Sequence, residues 1–168
     1  KAQPIIGRAH MNATGARPSG DRIVIAGILA KNLLFIGDKA GFENIIKLIE
    51  SEVRFSTGQR GMQHDYSFHH REDRVNNTTS YGYSKYANTF GEWAYYVAGT
   101  TYAFSVEKIN HLVDYYLDGI YKQMVYGIYI DVSVKNRDIT QKSNFAPGGI
   151  LEIERLLLST DYRKDELE

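Results

Sequence analysis

Two segments with apolar residues at helical spacing, separated by a short turn, most constrain the fold of this chain. The first begins at a cap formed by Ser19 or Asp21 and ends at Gly37, and the second extends from about Gly41 to Phe55. Helices joined by a turn as short as GDKA pack antiparallel, so the sequence predicts a buried helical hairpin. In the first helix the expected inward residues are Ile25, Ile28, Leu29 and Ile36. In the second the residues expected to face water are Glu43, Lys47, Glu50 and Glu52.

The later segments continue this helical pattern. A third helix is predicted from Ser84 to Ala98 and a fourth from Ser105 to about Val125, the latter with Tyr121 among its inward residues. Alternating apolar and polar residues at 126–134 indicate a short strand. A last helix is predicted from Ile150 to Ser159. Glycine and proline mark the two loops outside the polar stretch described below: residues 1–18 and 136–149.

Composition bounds the possible functions. At 168 residues, with 43% hydrophobic and 24% charged residues, the chain is long enough to bury the core of one folded domain. Its 20 basic and 20 acidic residues balance, so the overall charge does not favour nucleic acid or an anionic membrane surface as a partner. The absence of cysteine excludes disulfide scaffolds and thiolate metal sites. No apolar run reaches the length of a membrane span, so we expect neither nucleic acid nor a membrane as partner.

A long polar stretch, Met62 to Phe90, interrupts the helical pattern and is the candidate site. Long polar segments between helices are uncommon in compact domains and are often functional. This one combines histidines and tyrosines, which supply the groups for general acid and base catalysis. A surface loop that is merely rich in histidine is the alternative. The residues concerned are His64, His69, His70, Tyr66, Tyr81, Tyr83 and Tyr86.

Four stretches of the chain carry motifs in a fixed order. The polar stretch contains Asp65–His70 (DYSFHH) and Ser80–Gly82 (SYG), which are similar to D-[YG]-S-[FY]-x-x-H followed by Y-G. Upstream, Thr14–Ala16 is similar to the start of T-G-A-N. Downstream, Tyr95–Lys108 is similar to a helix, turn and helix, and Tyr129–Thr140 to a segment that leads into R-x-[IV]-S-R. Together these motifs resemble polysaccharide lyase family 8, which includes the chondroitin AC, hyaluronate and xanthan lyases.

The resemblance implies a mainly α fold, an incomplete (α/α) toroid of antiparallel helix hairpins with a long polar active-site loop. Residues 1–168 would form a single toroid-type domain, either a piece of a larger lyase or a reduced relative, because the family's β-sandwich domains have no counterpart in this sequence. The implied activity is β-elimination on a uronic-acid-containing polysaccharide, such as a glycosaminoglycan. The implied partners are this polysaccharide and the other domains of a larger polypeptide. The implied location is secreted or periplasmic in a bacterium, and no cofactor is implied.

The catalytic residues of the family can be carried over where the motifs match. Tyr81 takes the place of the tyrosine that acts as base and acid. The histidine falls on His70, with His69 in reserve, because the family's own histidine aligns one position later, at Arg71. Arg137 matches the first arginine of R-x-[IV]-S-R and would stabilise charge at the reacting centre.

The largest departure from the family pattern is at Arg17. It stands where the family has the asparagine that neutralises the substrate carboxylate. An arginine could do this through a bidentate ion pair. Alternatively, Asn12 or Asn76 could supply the missing amide, or the site could be impaired.

Three further residues are predicted to contact the substrate. Arg71 would bind a carboxylate or sulfate. Tyr83 is the alternative to Tyr81, because a one-residue difference in length makes the local alignment ambiguous. The second arginine of R-x-[IV]-S-R falls on Gln141, so half of the basic clamp is altered.

Two other functions stay open at this point. His64, His69 and His70, with acidic residues beside them, could bind a divalent metal, although their spacing matches no established metal motif. A non-catalytic helical module that binds acidic carbohydrate is the second alternative. Arg17 in place of asparagine favours such binding, whereas the histidine, tyrosine and first arginine in order favour catalysis.

Overall fold

The computed structural model describes residues 20–71, 75–125, 129–135 and 151–168, without the side chains of Ser80, Val125 and Leu151. The predicted loops at 1–18 and 136–149 lie outside these ranges. None of the described helices is long and apolar enough to cross a membrane. The elements in chain order are α1 (Gly20–Ile36), α2 (Lys39–Ser51), β1 (Gly61–Met62), β2 (Phe68–His69), π-helical turns (Thr78–Ala87) leading into α3 (Asn88–Val97), α4 (Val106–Asp114) continued by π-helical (Tyr115–Ile120) and 3₁₀ (Tyr121–Gln123) turns, β3 (Met124–Val125), β4 (Tyr129–Ile130), a 3₁₀ turn (Val132–Val134), α5 (Leu151–Leu157) and α6 (Lys164–Leu167). The mainly α fold predicted from the sequence is confirmed.

The predicted hairpin of α1 and α2 is confirmed. Gly37 ends α1 with a φ of 75°, a left-handed conformation that suits glycine at a helix C-terminus. The Asp38 side chain then accepts a hydrogen bond from the backbone N–H of Gly41 at 2.9 Å, which caps α2. Because of this cap, α2 begins at Lys39, two residues earlier than predicted, and it ends at Ser51 rather than at Phe55.

Glu52 is buried, so the prediction that it faces water is wrong. The chain leaves the helix at this residue, and its carboxylate accepts a hydrogen bond from Arg22 of α1 at 2.9 Å with only 3% of the side chain exposed. Its backbone carbonyl accepts a second bond from the Tyr86 hydroxyl at 2.9 Å. A buried carboxylate needs such partners to offset the cost of leaving water, and here they join α1, α2 and the third helix.

The buried face of α1 also differs from the predicted one. Ile28 is 43% exposed and Ile36 is 40% exposed, whereas the small residues Ala26 and Ala30 are fully buried. Small side chains let α1 approach the third helix closely. At Gly27, an added Cβ atom would lie only 2.8 Å from the indole nitrogen of Trp93. Apolar spacing alone could not distinguish this close face from the exposed one.

The third helix begins at Thr78, six residues before the predicted start at Ser84. The side-chain oxygen of Asn76 accepts hydrogen bonds from the backbone N–H of Thr78 at 3.1 Å and from its hydroxyl at 2.7 Å, which form an Asx turn just before the helix begins. The turns that follow are π-helical. As a result Tyr81 and Tyr83 lie on a helix rather than in a loop.

The fourth helix changes its winding after Asp114, where α-helical turns give way to π-helical and 3₁₀ turns. This change of winding rotates the residues that follow, and Tyr121 is 58% exposed, so the prediction that it faces inward is wrong. Of the strand predicted at 126–134, Tyr129–Ile130 is confirmed as β4, which pairs antiparallel with β3, with Met124 opposite Ile130. Val132–Val134 form a 3₁₀ turn instead, and residues 126–128 lie outside the described ranges. The last predicted helix is confirmed as α5.

The core is rich in aromatic side chains. Phe68 from the polar stretch is fully buried, and its ring packs against those of Tyr86 and Tyr115 at centroid distances of 5.1 and 6.5 Å. Burial raises the pKa of Tyr86 and Tyr115 well above its ordinary range, so both stay neutral phenols. These tyrosines are therefore structural, and their packing anchors the polar stretch to the helices.

An acid-sensitive cluster joins the end of the chain to the fourth helix. Arg163 donates hydrogen bonds to Asp114 at 2.8 Å and to Asp118 at 2.6 Å. Hydrogen bonds from Arg163 and Lys122 lower the pKa of Asp118 from 3.8 to about 2. Because the folded-state pKa is the lower one, this contribution to stability is present above about pH 4 and is lost as the pH falls towards 2.

We therefore expect the free energy of unfolding of the Arg163→Gln variant to depend less on pH between about 4 and 2 than that of the wild type. Urea unfolding followed by circular dichroism at several pH values measures this difference. Lys47→Gln, which removes a cation from an exposed pair with Glu43, is the matched control and should leave the pH dependence unchanged. Equal slopes for wild type and Arg163→Gln would contradict the assignment.

Candidate active site

The motif DYSF builds a tight hairpin that presents the histidines. Asp65 accepts hydrogen bonds from the backbone N–H of Ser67 at 2.9 Å and from its hydroxyl at 2.7 Å, and these bonds lower the pKa of Asp65. Strands β1 and β2 pair antiparallel, with Gly61 opposite His69. The buried Phe68 side chain anchors β2, and its carbonyl accepts a bond from the N–H of Asn77 at 2.7 Å. The hairpin is thereby fixed against the start of the third helix.

His70 and Tyr81 lie face to face where β2 meets the third helix. Their ring centroids are 3.4 Å apart and their planes are 13° from parallel. The Lys85 ammonium lies over the Tyr81 ring, 4.5 Å from its centroid, one helical turn further along the chain. The His70 side chain keeps 13% of its surface exposed, and Tyr81 is half-buried. The histidine and tyrosine that the sequence selected are thus brought together at the protein surface.

The electrostatic surroundings of His70 are mostly positive. Burial is the largest effect and lowers its pKa, and Arg60, Arg71 and Lys85 lower it further. Asp21 acts in the opposite direction, with its carboxylate 4.0 Å from Nε2 of the imidazole. The lowered pKa favours a neutral ring at neutral pH, which is the form that can accept a proton.

Gly82 explains why glycine follows the tyrosine in the motif. A Cβ atom at this position would collide with the hydroxyl of Tyr115 and would lie 2.9 Å from Cβ of Phe68. The third helix can approach the hairpin this closely only without a side chain there. Glycine is therefore required for the contact that places Tyr81 beside His70.

The other described candidates have different surroundings. The imidazole Nε2 of His69 lies 3.2 Å from the Ser67 hydroxyl. The Asn76 side-chain oxygen accepts both hydrogen bonds from Thr78 in the Asx turn before the third helix. The Tyr83 hydroxyl donates a hydrogen bond to Glu152 of α5 at 3.2 Å, and Arg71 is exposed beside His70. Of these, Arg71 acts on the charge of His70 and lowers its pKa.

Four predicted site residues lie outside the described ranges: Asn12, Arg17, Arg137 and Gln141. Their proposed roles therefore depend on the sequence motifs alone. The tyrosine and the histidine of the motifs are in contact through their rings, whereas the first arginine of R-x-[IV]-S-R lies outside the described ranges.

The described residues do not form the histidine metal site considered above. His64 stacks on Phe55, with ring centroids 4.5 Å apart, while His69 lies beside Ser67 and His70 beside Tyr81. Within the described ranges no group of three or more histidine, aspartate or glutamate side chains is arranged to hold a metal ion. The acidic neighbours at 72 and 73 lie outside those ranges.

Three residues at the site had no signal as site residues in the sequence. Asp21 was predicted only as a helix cap, and Arg60 and Lys85 belong to none of the matched motifs. Arg60 precedes β1 and lies 3.8 Å from the Asp21 carboxylate. Of the three, Lys85 has a weak signal in its spacing: it follows Tyr81 by four positions, and residues four apart on a helix lie on the same face. The contact between Asp21 and His70 depends on tertiary structure.

The arrangement combines the phenol of Tyr81, the imidazole of His70, which favours its neutral form, and several positively charged side chains close to them. The phenol and the imidazole can exchange protons with a bound molecule, and the cations can hold an anionic group near them. These are the components needed to remove a proton from a carbon atom next to a carboxylate.

Comparisons with known proteins bear on the family and the fold of this domain. The family model described as polysaccharide lyase family 8, N-terminal alpha-helical domain, matches residues 7–163. A chondroitinase-AC from Pedobacter heparinus is 30% identical over 108 residues, which cover 64% of this chain and 15% of that protein. A solved structure of chondroitinase AC lyase, from a study of its active site and its oligosaccharide complexes, aligns with this chain. The TM-score is 0.82 at 23% sequence identity. That alignment covers 90% of this chain and 22% of the solved one.

Proposed function

Because this chain belongs to polysaccharide lyase family 8, we propose that it forms part of a lyase that cleaves a uronic-acid-containing polysaccharide by β-elimination. The observation that carries the proposal is the stack of His70 on Tyr81 beside the cations Arg60, Arg71 and Lys85. The chain spans 15% of the length of the curated relative that it matches, so activity is proposed for the polypeptide that carries this domain.

Elimination requires a base, an acid and stabilisation of negative charge. The proton at C5 of a uronate becomes acidic enough to remove only when the neighbouring carboxylate is neutralised, and the leaving oxygen at C4 must then be protonated. We assign proton removal and return to the Tyr81 hydroxyl, with His70 as its partner. The family motif assigns charge stabilisation to Arg137, and it leaves Arg17, Asn12, Asn76, Tyr83 and Gln141 as candidate contacts to the sugar.

The stack with His70 supports this role for Tyr81. Two nearly parallel rings 3.4 Å apart limit rotation of the tyrosine side chain and so hold its hydroxyl in one orientation. A base held in place contributes more than a mobile one, because less motion must be restricted when substrate binds. The two tyrosines in the core below, Tyr86 and Tyr115, are fully buried and stay neutral phenols, which makes them unsuitable for proton transfer to a polysaccharide.

The charge around the stack supports an acidic substrate. Three cations and one carboxylate, Asp21, influence His70 within the described residues. Such a local excess of positive charge attracts a polyanion even though the chain as a whole is neutral. Chondroitin is the first substrate to test, because a relative of this chain is a chondroitinase-AC. An exported bacterial protein, with residues 1–168 as one toroid-type domain of a larger polypeptide, is consistent with this role.

A binding module without catalysis is the second candidate function. It is favoured by one observation, the presence of Arg17 where the family motif has the neutralising asparagine. A domain of this kind would hold acidic saccharides through the exposed cations Arg71 and Lys85 without cleaving them.

The test is the increase in ultraviolet absorbance of the unsaturated uronate that elimination produces. The full-length polypeptide that carries this chain is incubated with chondroitin, hyaluronan and heparan sulfate, each with and without EDTA. We expect absorbance to rise with at least one substrate and EDTA to have no effect. Loss of activity in EDTA would indicate a metal site that involves residues outside the described ranges. Saccharide binding without a rise in absorbance would favour the binding module and contradict the lyase.

A further inference from the structure

Asp21 lies in the first turn of α1, next to the open end of the β1–β2 hairpin. Arg60 directly precedes β1 and His70 directly follows β2, so the antiparallel pairing puts their side chains at the same end of the hairpin. The Asp21 carboxylate oxygen Oδ2 lies 3.8 Å from the Arg60 guanidinium and 4.0 Å from Nε2 of His70. One carboxylate is thus shared between a permanent cation and an imidazole.

Arg60 is suited to hold this carboxylate in place. Only 15% of its side chain is exposed, and its Nε and Nη2 atoms make no hydrogen bond to any described residue. A guanidinium in such surroundings needs a nearby negative charge, because burial of an unpaired cation is costly. Asp21 supplies that charge, so the position of its carboxylate is constrained by Arg60.

We propose that Asp21 is a positioning residue for His70, with its carboxylate held by Arg60 and directed at the imidazole so that the ring stays against Tyr81 and can take up a proton. The proposal rests on the proposed function for the importance of His70. The placement of Asp21 between Arg60 and the imidazole is an observation independent of it.

The charges around His70 explain why a carboxylate matters there. The charged and titratable groups that face His70 in the described residues come from four parts of the chain: Asp21 in α1, Arg60 before β1, Arg71 after β2, and Tyr81 and Lys85 in the π-helical turns. Burial and the three cations all disfavour the imidazolium, and Asp21 is the group that favours it. When the Tyr81 hydroxyl gives up its proton to His70 and then takes the proton from C5 as a base, the new positive charge on His70 therefore depends on Asp21 for stabilisation.

The experiment follows the titration of His70 by NMR in protein labelled at histidine, with the His70→Gln variant used to assign the signal. In Asp21→Asn the pKa of His70 should shift further down, because a carboxylate that raises it is removed. In Arg60→Gln the pKa of His70 should shift up, because a cation that lowers it is removed. Asp21→Glu, which keeps the carboxylate, should restore the titration towards that of the wild type. Glu43→Gln removes an exposed carboxylate from a pair with Lys47 and is the control, with no expected shift.

Opposite shifts in Asp21→Asn and Arg60→Gln would support the proposal, since a general loosening of the site would move the titration in one direction for both. An unchanged His70 titration in Asp21→Asn, or shifts of the same sign in both variants, would overturn it. In the full-length polypeptide, Asp21→Asn should lower kcat about tenfold with little change in KM, a part of what acid–base catalysis contributes. If the wild type shows no lyase activity, the proposed function fails, while the NMR titration still decides the role of Asp21.

Discussion

Replacing Tyr81 with phenylalanine is expected to abolish eliminative cleavage by the full-length polypeptide while leaving this domain folded. Phenylalanine keeps the ring that stacks on His70 and lies under Lys85, so only the hydroxyl is lost. Positioned acid and base groups contribute about 10²- to 10⁴-fold to rate, so kcat should fall at least about 100-fold. The measurement is the initial rate of absorbance increase on the best polysaccharide substrate.

Two further phenylalanine variants make this test specific. Tyr83→Phe removes the hydroxyl that donates to Glu152. Comparing it with Tyr81→Phe shows which of the two candidate tyrosines is needed for activity. If Tyr83→Phe loses activity and Tyr81→Phe keeps it, the assignment of Tyr81 is wrong. Tyr121→Phe changes a tyrosine that is 58% exposed on the fourth helix and is the control for loss of a hydroxyl alone. Saccharide binding should survive in all three variants, because the cations are untouched.

Replacing Gly82 with alanine is expected to destabilise the domain by about 2–3 kcal/mol, the upper part of the range for an overpacked core. The added methyl group would collide with the Tyr115 hydroxyl and crowd Phe68, and both belong to rigid, fully buried aromatic rings. Relief would require the third helix to move away from the hairpin, which would also separate Tyr81 from His70. Urea unfolding measures the stability, and the elimination assay should show a matching loss of activity.

The control for this substitution is Gly91→Ala in α3. An added Cβ atom there would lie 3.9 Å from Leu112, an ordinary contact, so alanine should stabilise the helix by about 0.5–1 kcal/mol. The double variant Gly82→Ala with Tyr115→Phe removes the hydroxyl that meets the new methyl group, and it should recover part of the lost stability. A Gly82→Ala protein as stable as the wild type would show that the close contact is not required.

The sequence by itself was sufficient to determine the local elements and the identity of the main candidates. Periodicity and a glycine stop predicted α1 and its end at Gly37, although Asp21, one of the two predicted caps, lies in the first turn of the helix. The motifs selected Tyr81 and His70, which the structure brings together, although their catalytic roles remain a prediction. The third helix begins six residues before its predicted start, because polar residues of the stretch form the Asx turn at Asn76 and the first helical turns, and their composition resembles that of a loop.

Only the tertiary structure decided which side chains leave water and which distant groups meet. Glu52 is buried because Arg22 lies beside it on another helix, and nothing in its own helical position indicates this. The site contains Asp21, which is 49 positions from His70 in the sequence, because α1 begins at the open end of the hairpin. Apolar spacing indicates that a segment is helical and which of its residues are available for burial. Contacts between residues far apart in the chain depend on how the helices approach one another, which periodicity does not record.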